Sequence, residues 1–392
     1  MTGRSVVVVS MPNVVPHNQL VYLRLAELGW DVNYVVPNRW RDEYSPEGFT
    51  PQPLEGIVGT FARLRVALPG QVQRHFYVTR PAGWIRRWRR PDAIFVELEP
   101  FSVPTLQWGL AAERLRIPWG VQGDENLDRR LPWPARLIRD WSMPRIDFFA
   151  ARSPGGEQML RRWGARAEIG IVPHTIPEWE PPERARSDDE LFTIGFAGRL
   201  TEAKGIRDLL AAVRRLDFPF RLLVVGDGPL RREIEATDLG HGVLELHTGV
   251  RSGAMPPLYA RMDLLALPSR TTETWAEQFG KVLCEALLCG TPVIGSSSGE
   301  IPWVIETTRG GLVFPEGDDE SLARAISDLR SDPAERERLA QEGRAGVERH
   351  FAPRVAAREL DRLLRGALVN EARPRPPRPA SRAAGDSRAG SG

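Results

Sequence analysis

Short runs of β-branched and other apolar residues alternate with helical patterns along most of the chain, and this alternation constrains the fold most strongly. Strands that are apolar on both faces and separated by helices are typical of parallel sheets with helices on each side. The pattern therefore predicts an α/β protein built from two doubly wound parallel sheets. The predicted strands are Ser5–Ser10, Asp31–Val36, Ala93–Glu97, Trp119–Gln122, Asp147–Ala151 and Ile169–Val172 in the first half, and Phe192–Ala197, Phe220–Val225, Leu244–His247, Leu264–Leu267, Pro292–Gly295 and Leu312–Phe314 in the second.

Changes in composition mark the expected domain boundaries. The segment Pro177–Asp189 is rich in proline and charge and lacks an apolar period, which indicates a linker. We expect an N-terminal domain over residues 1–180 and a C-terminal domain over residues 181–352. A last helix over residues 353–372 would cross back to the N-terminal domain, and residues 373–392 are expected to form a disordered basic tail.

Charge and composition exclude several classes of protein. The chain carries 53 Lys and Arg against 51 Asp and Glu, and a net charge of +2 argues against a protein that coats nucleic acid. The two cysteines, Cys284 and Cys289, form neither a disulfide framework nor a metal site. The start of the chain has too short an apolar run for a signal peptide, and no stretch approaches the ~20 apolar residues of a membrane span. We therefore expect a cytoplasmic protein.

The segment Thr274–Ile301 carries the first group of candidate site residues. Its pattern predicts a helix from about Phe279 to Cys289 that is apolar nearly all round and therefore buried. Lys281 and Glu285 interrupt that apolar surface on one helix face. Either they form an ion pair, or Glu285 accepts hydrogen bonds from ligand hydroxyls, since a buried carboxylate needs such partners.

Glu277 precedes this helix, so the helix start lies between two carboxylates. Eight positions along a helix span roughly 12 Å, which exceeds the separation of about 5–9.5 Å between the paired carboxylates of a glycosidase. Glu277 and Glu285 are therefore expected to contact one long ligand at two points. The free N–H groups near Phe279 and Gly280 would bind a phosphate, and Gly280 would allow its close approach.

The segment Gly195–Gly205 carries the second group. A predicted strand ends at Ala197, and Arg199 and Lys204 follow at its carboxyl end, where open α/β sheets bind ligands. An arginine fork and a lysine point charge together suit a diphosphate, while a solvated loop is the alternative for this segment alone. Of the 53 basic residues only two, Lys204 and Lys281, are lysines, and both fall in the predicted site.

Together these segments resemble the retaining nucleotide-sugar glycosyltransferases of family 4. The matching stretches are FAGRLTEAKG, LLVVGDGPLR, YARMDLLALPS, EQFGKVLCEALLCGTPVIGSSSGEIPWVI and GGLVFPEGD, in the order and spacing of that family. The resemblance is strong over about Phe192–His350 and weaker over Ser5–Val172. It implies the GT-B fold, in which two Rossmann-like domains face a cleft. It also implies transfer of a sugar from a nucleoside-diphosphate sugar to an acceptor hydroxyl with retention of the anomeric configuration.

The resemblance assigns a role to each matched residue. Arg199 and Lys204 would hold the donor diphosphate and Glu277 the hydroxyls of the transferred sugar, and these three form the predicted catalytic group. No metal ion and no cofactor is expected, because the two side-chain cations and a helix terminus would offset the charge of the leaving diphosphate. The other predicted donor-binding residues contact the ribose, the base, the sugar or the distal phosphate, and they are Glu285, Phe279, Gly280, Lys281, Val282 and Val250.

The N-terminal half would bind the acceptor, which we expect to be a glycan, a lipid-linked sugar or a small hydroxylated molecule. Many members of the family carry a Gly-Gly doublet after the first strand, but this loop reads MPNVVPHN, so no phosphate contact is assigned to it. Polar residues near the carboxyl ends of the strands would face the cleft, with turn and capping roles as the alternative. The acceptor-side candidates are His17, Glu97, Glu99, Asp124, Glu125 and Asn126.

Further alternatives remain open from the sequence. The segment Trp84–Arg90 is either a basic, aromatic patch for peripheral contact with the inner face of a membrane or, as we favour, a solvated helix face. A nucleotide-sugar epimerase of the same fold would need a set of acid and base residues around the sugar, and a phosphorylase would need a cofactor lysine. A non-catalytic protein would bind nucleotide sugars without turnover.

Overall fold

A computed structural model of the chain describes residues 3–41, 47–57, 59–87, 90–174, 176–180, 182 and 191–370. Within these ranges the strands are β1 Arg4–Ser10, β2 Trp30–Pro37, β3 Phe61–Leu64, β4 Val66–Ala67, β5 Phe76–Tyr77, β6 Ala93–Glu97, β7 Trp119–Gly123, β8 Phe148–Ala151, β9 Glu168–Ile171, β10 Phe192–Ala197, β11 Phe220–Val225, β12 Gly242–His247, β13 Leu264–Leu267, β14 Val293–Ser296 and β15 Gly311–Phe314. The α-helices are α1 Leu20–Glu27, α2 Pro81–Ile85, α3 Val103–Leu115, α4 Trp133–Ser142, α5 Pro154–Arg162, α6 Ile206–Val213, α7 Arg231–Glu235, α8 Pro256–Ala260, α9 Lys281–Leu288, α10 Ile301–Thr308, α11 Asp319–Ser331, α12 Pro333–His350 and α13 Pro353–Asn370.

The strands form two parallel sheets, which confirms the predicted fold class. The first sheet has the order β3-β2-β1-β6-β7-β8-β9 and the second has the order β12-β11-β10-β13-β14-β15. Strand β3, at the edge of the first sheet beside β2, is missing from the prediction. Its four residues are all partly or fully exposed, so the run lacks the buried apolar pattern that marks the other strands. A separate antiparallel pair joins β4 to β5.

Helices cover both faces of each sheet, and β1 shows why the sequence pattern indicates this. Val6 and Val8 belong to one buried cluster and Val7 and Val9 to another, and all four are fully buried. An alternating strand that is apolar at every position must have its two faces packed against separate layers.

Helix α13 packs against the first sheet although it follows the second sheet in the chain. Leu360, Leu363 and Leu364 share a buried cluster with Val21 of α1 and Val8 of β1. A hydrogen bond of 2.6 Å from the indole of Trp30 to Asp361 fixes this packing further.

Several predicted segments fall partly or wholly outside the described residues. They include positions 181 and 183–189 of the predicted linker, residues 371–372 of the predicted last helix and the predicted tail over 373–392. The domain boundaries therefore remain a prediction.

The predicted basic, aromatic patch at Trp84–Arg90 is only partly described, because Trp88 and Arg89 lie outside the described residues. The ring of Trp84 packs edge-on against Trp108 at a centroid distance of 5.8 Å and belongs to the core of the first sheet. Trp84 is therefore partly buried against this core, and the role of the patch stays a prediction. In the part of the chain that the structure describes, no helix combines the length and apolar character needed to span a bilayer.

The strand orders also locate the site. The order reverses between β1 and β6 in the first sheet and between β10 and β13 in the second. In open parallel sheets, ligands bind at the carboxyl ends of the strands beside such a reversal.

Candidate functional site

A pocket of about 1010 Å³ lies at the carboxyl ends of β10, β11 and β12. The loops after these three strands form most of its wall, and His17 from the loop after β1 faces it from the N-terminal half. Four residues predicted to bind a donor line this pocket together: Arg199, Val250, Val282 and Glu285. The pocket therefore combines a cation, apolar surface and a carboxylate.

Glu285 reaches the pocket from α9 and is held there by Tyr259. The Tyr259 hydroxyl donates a hydrogen bond of 2.7 Å to Oε2 of Glu285. Burial raises the pKa of Glu285, against the opposing effects of Tyr259 and the charge of Lys281. Lys281 instead donates to Oδ1 of Asn18 at 3.1 Å. Lys281 and Glu285 thus have different hydrogen-bond partners in the described structure. An ion pair between them, which the sequence left open as an alternative, is therefore not what positions Glu285.

Lys204 and Glu277, assigned to different parts of the donor, contact each other directly. Nζ of Lys204 lies 2.6 Å from Oε2 of Glu277, and Ser269 donates to the same oxygen at 2.8 Å. The ammonium also lies 4.8 Å from the ring centroid of Trp275, a cation–π distance. Glu277 is only 6% exposed, so the lysine is held in one place by a buried carboxylate and an aromatic face.

Helix α9 starts two residues later than predicted, at Lys281, with Gly280 as the N-cap. Gly280 has φ +74°, and a Cβ there would lie 3.0 Å from Cδ2 of Leu267. This left-handed conformation suits glycine and ends any helix extending toward Phe279. Phe279 as a whole is 2% exposed and its ring packs on Phe351 at a centroid distance of 5.2 Å, so its side chain is part of the core.

Residues 124–126, which follow β7 on the predicted acceptor side, form hydrogen bonds with the segment around Glu277. Nδ2 of Asn126 donates to the carbonyl of Glu277 at 2.9 Å, and Nε2 of Gln278 donates to the carbonyl of Asp124 at 3.2 Å. The Asp124 carboxylate in turn lies 2.9 Å from Nε2 of His174. These contacts bring the two halves of the molecule together beside the predicted sugar position.

Glu97 has a structural role in this arrangement, which corrects its assignment as an acceptor contact. Its Oε1 forms an ion pair with Arg152, and its Oε2 accepts a hydrogen bond of 2.6 Å from Ser10. Glu97 is 1% exposed and Arg152 is 4% exposed. Since both carboxylate oxygens are engaged inside the protein, none is offered to a ligand in the cleft.

Glu99 is buried but only half satisfied. Its Oε1 accepts hydrogen bonds from the backbone N–H groups of Asp124 at 2.6 Å and Glu125 at 2.9 Å. Its Oε2 is buried with no hydrogen-bond partner in the described part of the chain. Burial, together with the negative charges of Asp124 and Glu125, raises the pKa of Glu99 to about 8. At neutral pH the carboxyl group is therefore mainly protonated.

This protonation predicts a pH-dependent stability. Between the ordinary pKa of 4.5 and the folded-state value of about 8, the folded protein holds a proton that the unfolded chain releases. The free energy of unfolding should therefore fall as the pH rises through this range and level off above it. We expect Glu99→Gln to reduce this fall, as measured by urea unfolding at pH values below and above the pKa. Glu55→Gln, which changes an exposed carboxylate, should keep the wild-type dependence, and an unchanged dependence in Glu99→Gln would refute the protonation of Glu99.

The remaining acceptor-side candidates occupy two places. Glu125 forms an ion pair of 2.6 Å with Arg129. His17 faces the large pocket, and burial together with the charge of Lys281 lowers its pKa to about 4, so its imidazole is neutral at pH 7. Among the described residues, no group of three or more His, Cys, Asp or Glu side chains is arranged to hold a metal ion.

Sequence reasoning missed several residues of the pocket. Tyr259 positions Glu285 but precedes it by 26 positions, without any spacing that would connect them. Gly226 lines the pocket, and a Cβ there would lie only 1.9 Å from the carbonyl oxygen of Gly198. Glycine at this position lets the loops after β10 and β11 lie against each other. In the sequence, the signal for this close approach is the run Gly226–Gly228, which follows the predicted strand Phe220–Val225.

Comparisons with known proteins agree with this geometry. The family model for glycosyl transferases group 1 matches residues 177–346. The chain is similar to the 2-deoxystreptamine glucosyltransferase of Streptomyces kanamyceticus, with 33% identity over 318 residues that cover 71% of this chain and 79% of the relative. It is also 30% identical over 190 residues to the 2-deoxystreptamine N-acetyl-D-glucosaminyltransferase of Streptomyces fradiae, where the match spans 44% of each protein.

Among solved structures, the chain is similar to HepE from Anabaena. The complex of HepE with UDP has a TM-score of 0.66 at 17% identity, covering 92% of this chain and 99% of HepE. The complex with UDP-glucose has a TM-score of 0.63 at 16% identity with the same coverage. At these identities the similarity shows a shared fold.

Proposed function

This chain belongs to the glycosyl transferases group 1 family and has its GT-B fold, and we propose that it moves a sugar from a nucleoside-diphosphate sugar to an acceptor hydroxyl with retention of configuration, as a member of family 4. The observation that carries this proposal is the large pocket. It presents Arg199, Val250 and Glu285 around one volume of about 1010 Å³, and these suit a diphosphate, a base and a ribose respectively.

The leaving diphosphate would be stabilised by fixed cations without a metal ion. Breaking the bond between the anomeric carbon and the phosphate oxygen puts negative charge on the diphosphate and positive charge on the sugar ring. Arg199 lies on the pocket wall, and Lys204 follows it in the same loop, held in place by Glu277 and Trp275. Such preorganised charges need no rearrangement as the negative charge develops.

Glu277 would orient both the lysine and the sugar. Its Oε2 is occupied by Lys204 and Ser269, which leaves Oε1 for a sugar hydroxyl. A carboxylate that is tied to an ammonium and a hydroxyl is a poor nucleophile, so we do not propose a covalent glycosyl–enzyme intermediate. In the proposed front-face reaction, the acceptor oxygen bonds to the anomeric carbon as the phosphate oxygen leaves. The acceptor proton passes to that phosphate oxygen, and the configuration is retained.

The class of donor and acceptor is part of the proposal. HepE, which shares the fold, binds UDP and UDP-glucose, so UDP-sugars are the first donors to test, followed by GDP- and dTDP-sugars. The acceptor would enter from the N-terminal half, beside Asp124 and Asn126, which already contact the segment around Glu277. Polar groups there suit a hydroxylated acceptor.

We expect Glu285→Ala to weaken donor binding roughly 10- to 100-fold, because hydrogen bonds to a charged group contribute about 1.5–3 kcal/mol. Isothermal titration with the donor panel measures this effect. Tyr259→Phe keeps the carboxylate but removes its hydrogen-bond donor, so it should give a smaller loss. Glu320→Ala, an exposed carboxylate on α11, is the matched control and should bind like the wild type. Unchanged affinity in Glu285→Ala would contradict the assigned ribose contact.

The rival functions differ in what happens to the donor after it binds. A non-catalytic protein would show binding in the titration but no release of nucleoside diphosphate. An epimerase would change the sugar without releasing it, and a phosphorylase would need phosphate for turnover.

A further inference from the structure

A second pocket, here named the arginine pocket, lies on the N-terminal half, apart from the donor pocket. Its volume is about 730 Å³, and five arginines line it together with a single carboxylate. These lining residues are Arg129, Arg130, Arg136, Arg139, Arg162 and Asp128. The surface therefore carries a strong excess of positive charge.

Two of these arginines are available to a ligand. Arg129 is paired with Glu125, Arg139 contacts Asp140 at 2.8 Å and Arg162 lies 3.4 Å from Asp128. Arg130 and Arg136 are exposed and have no ion-pair partner among the residues that the structure describes.

Helix α4 adds an exposed apolar stripe beside these arginines. Trp133 is 68% exposed and Leu137 is 60% exposed, and they lie four residues apart, on one face of the helix. Trp141 continues the stripe, but its ring lies against Trp119 at 6.3 Å. Arg136 is exposed on the next face of the same helix, whereas Arg139 is only 22% exposed and contacts Asp140, an exposed carboxylate beside the stripe. The apolar stripe and the basic surface are therefore adjacent.

We propose that α4 and the arginine pocket form a docking surface for an anionic lipid bilayer. Trp133 and Leu137 would enter the zone between head groups and acyl chains, where tryptophan is favoured. Arg130 and Arg136 would bind head-group phosphates, which planar guanidinium groups match well. The charge favours an anionic bilayer over an apolar protein partner, because five arginines outnumber the two carboxylates beside the stripe and in the pocket, Asp140 and Asp128.

The docking surface adjoins the acceptor side of the cleft. Arg129 lines the arginine pocket and pairs with Glu125, whose backbone N–H donates to the buried carboxyl group of Glu99. The inference concerns binding alone, so it can be tested without donor or acceptor and fails independently of the proposed reaction.

Co-sedimentation of the full chain with vesicles tests this surface. We expect binding to vesicles of phosphatidylcholine mixed with phosphatidylglycerol and little binding to phosphatidylcholine alone, with the binding weakened by salt. The Arg130→Gln/Arg136→Gln double variant should lower the partition coefficient by roughly thirtyfold, taking about 1 kcal/mol for each arginine. Trp133→Ser/Leu137→Ser should also reduce binding.

Matched variants elsewhere control for charge and hydrophobicity. Arg349→Gln/Arg358→Gln removes the same charge from exposed sites on α12 and α13, and Val243→Ser removes an exposed apolar side chain from β12. Both controls should bind vesicles like the wild type, and all variants should keep the wild-type circular dichroism.

Three results would overturn the proposal. They are no binding to either vesicle, equal binding to neutral and anionic vesicles, and wild-type binding by both surface variants, which would place the contact elsewhere. A thermal shift with inorganic phosphate in the absence of vesicle binding would instead identify the pocket as a site for a soluble anion.

Discussion

Lys204→Ala is expected to lower kcat by roughly 100- to 1,000-fold, the range seen when one preorganised group that stabilises developing negative charge is removed. Lys204 is fixed by Glu277 at 2.6 Å and by the face of Trp275, so its charge is in place before the diphosphate leaves. Arg199→Ala should have a comparable effect, because Arg199 lies on the pocket wall in the same loop. Steady-state kinetics with the best donor of the panel measures both variants.

Arg207→Ala is the matched control for these variants. Arg207 follows Lys204 by three positions, but it is exposed and pairs with Glu202 and Glu233 at the surface. It should keep near-normal kcat. Near-normal kcat in both Lys204→Ala and Arg199→Ala would remove the proposed charge stabilisation.

Lys204→Arg sharpens this test. A guanidinium is larger than an ammonium, and the space between Glu277 and Trp275 holds the compact charge at 2.6 Å and 4.8 Å. Loss of activity despite the conserved charge would show why lysine stands here in a chain that otherwise uses arginine. An unimpaired Lys204→Arg enzyme would mean that the position requires charge alone.

Arg152→Leu is expected to lower the free energy of unfolding by about 3–5 kcal/mol, since it leaves the buried Glu97 carboxylate without its counter-charge. Arg152 also donates to Gln122 at 2.6 Å and to the carbonyls of Val172 and Pro173 at 3.2 Å. Loss of the Arg152 side chain therefore removes hydrogen bonds at the carboxyl ends of β6, β7 and β9. Urea unfolding at neutral pH measures the change.

Two further variants separate the buried charge from simple loss of packing. Arg152→Leu/Glu97→Leu removes both charges and should recover much of the stability, because a well-packed apolar pair can replace a buried ion pair. Arg161→Leu changes an arginine whose side chain is 50% exposed on α5 and should alter stability by no more than about 0.5 kcal/mol. An equally small effect of Arg152→Leu would contradict the structural role assigned to the pair.

The sheets could be predicted from sequence because burial on both faces imposes a pattern that needs no partner to be recognised. In β1, four consecutive buried valines indicate that both faces of the strand are covered. Strand β3 has no such pattern, since it lies at an edge and is partly exposed along its length. The start of α9 was misplaced because apolar periodicity continues through Phe279, while the left-handed backbone of Gly280 ends the helix.

The candidate site was predictable in its position but not in its internal contacts. The carboxyl ends of strands can be read from the chain, so Arg199, Glu277 and Glu285 could be selected. The contact between Lys204 and Glu277 joins residues 73 positions apart, and that between Glu97 and Arg152 spans 55 positions. No local pattern records which polar residue is neutralised inside the protein and which one faces a ligand, and this is why Glu97 was wrongly placed among the acceptor contacts.

Proton NMR of a nucleoside-diphosphate sugar incubated with the protein tests the central claim most directly, since one spectrum series follows both the anomeric signal of the donor and that of the product. The account predicts that the wild-type protein releases nucleoside diphosphate from one donor class and that the first product keeps the donor's anomeric configuration. The release should be roughly 100- to 1,000-fold slower in Lys204→Ala. A donor that binds in the pocket but stays intact with every acceptor offered, or a first product with inverted configuration, would contradict it.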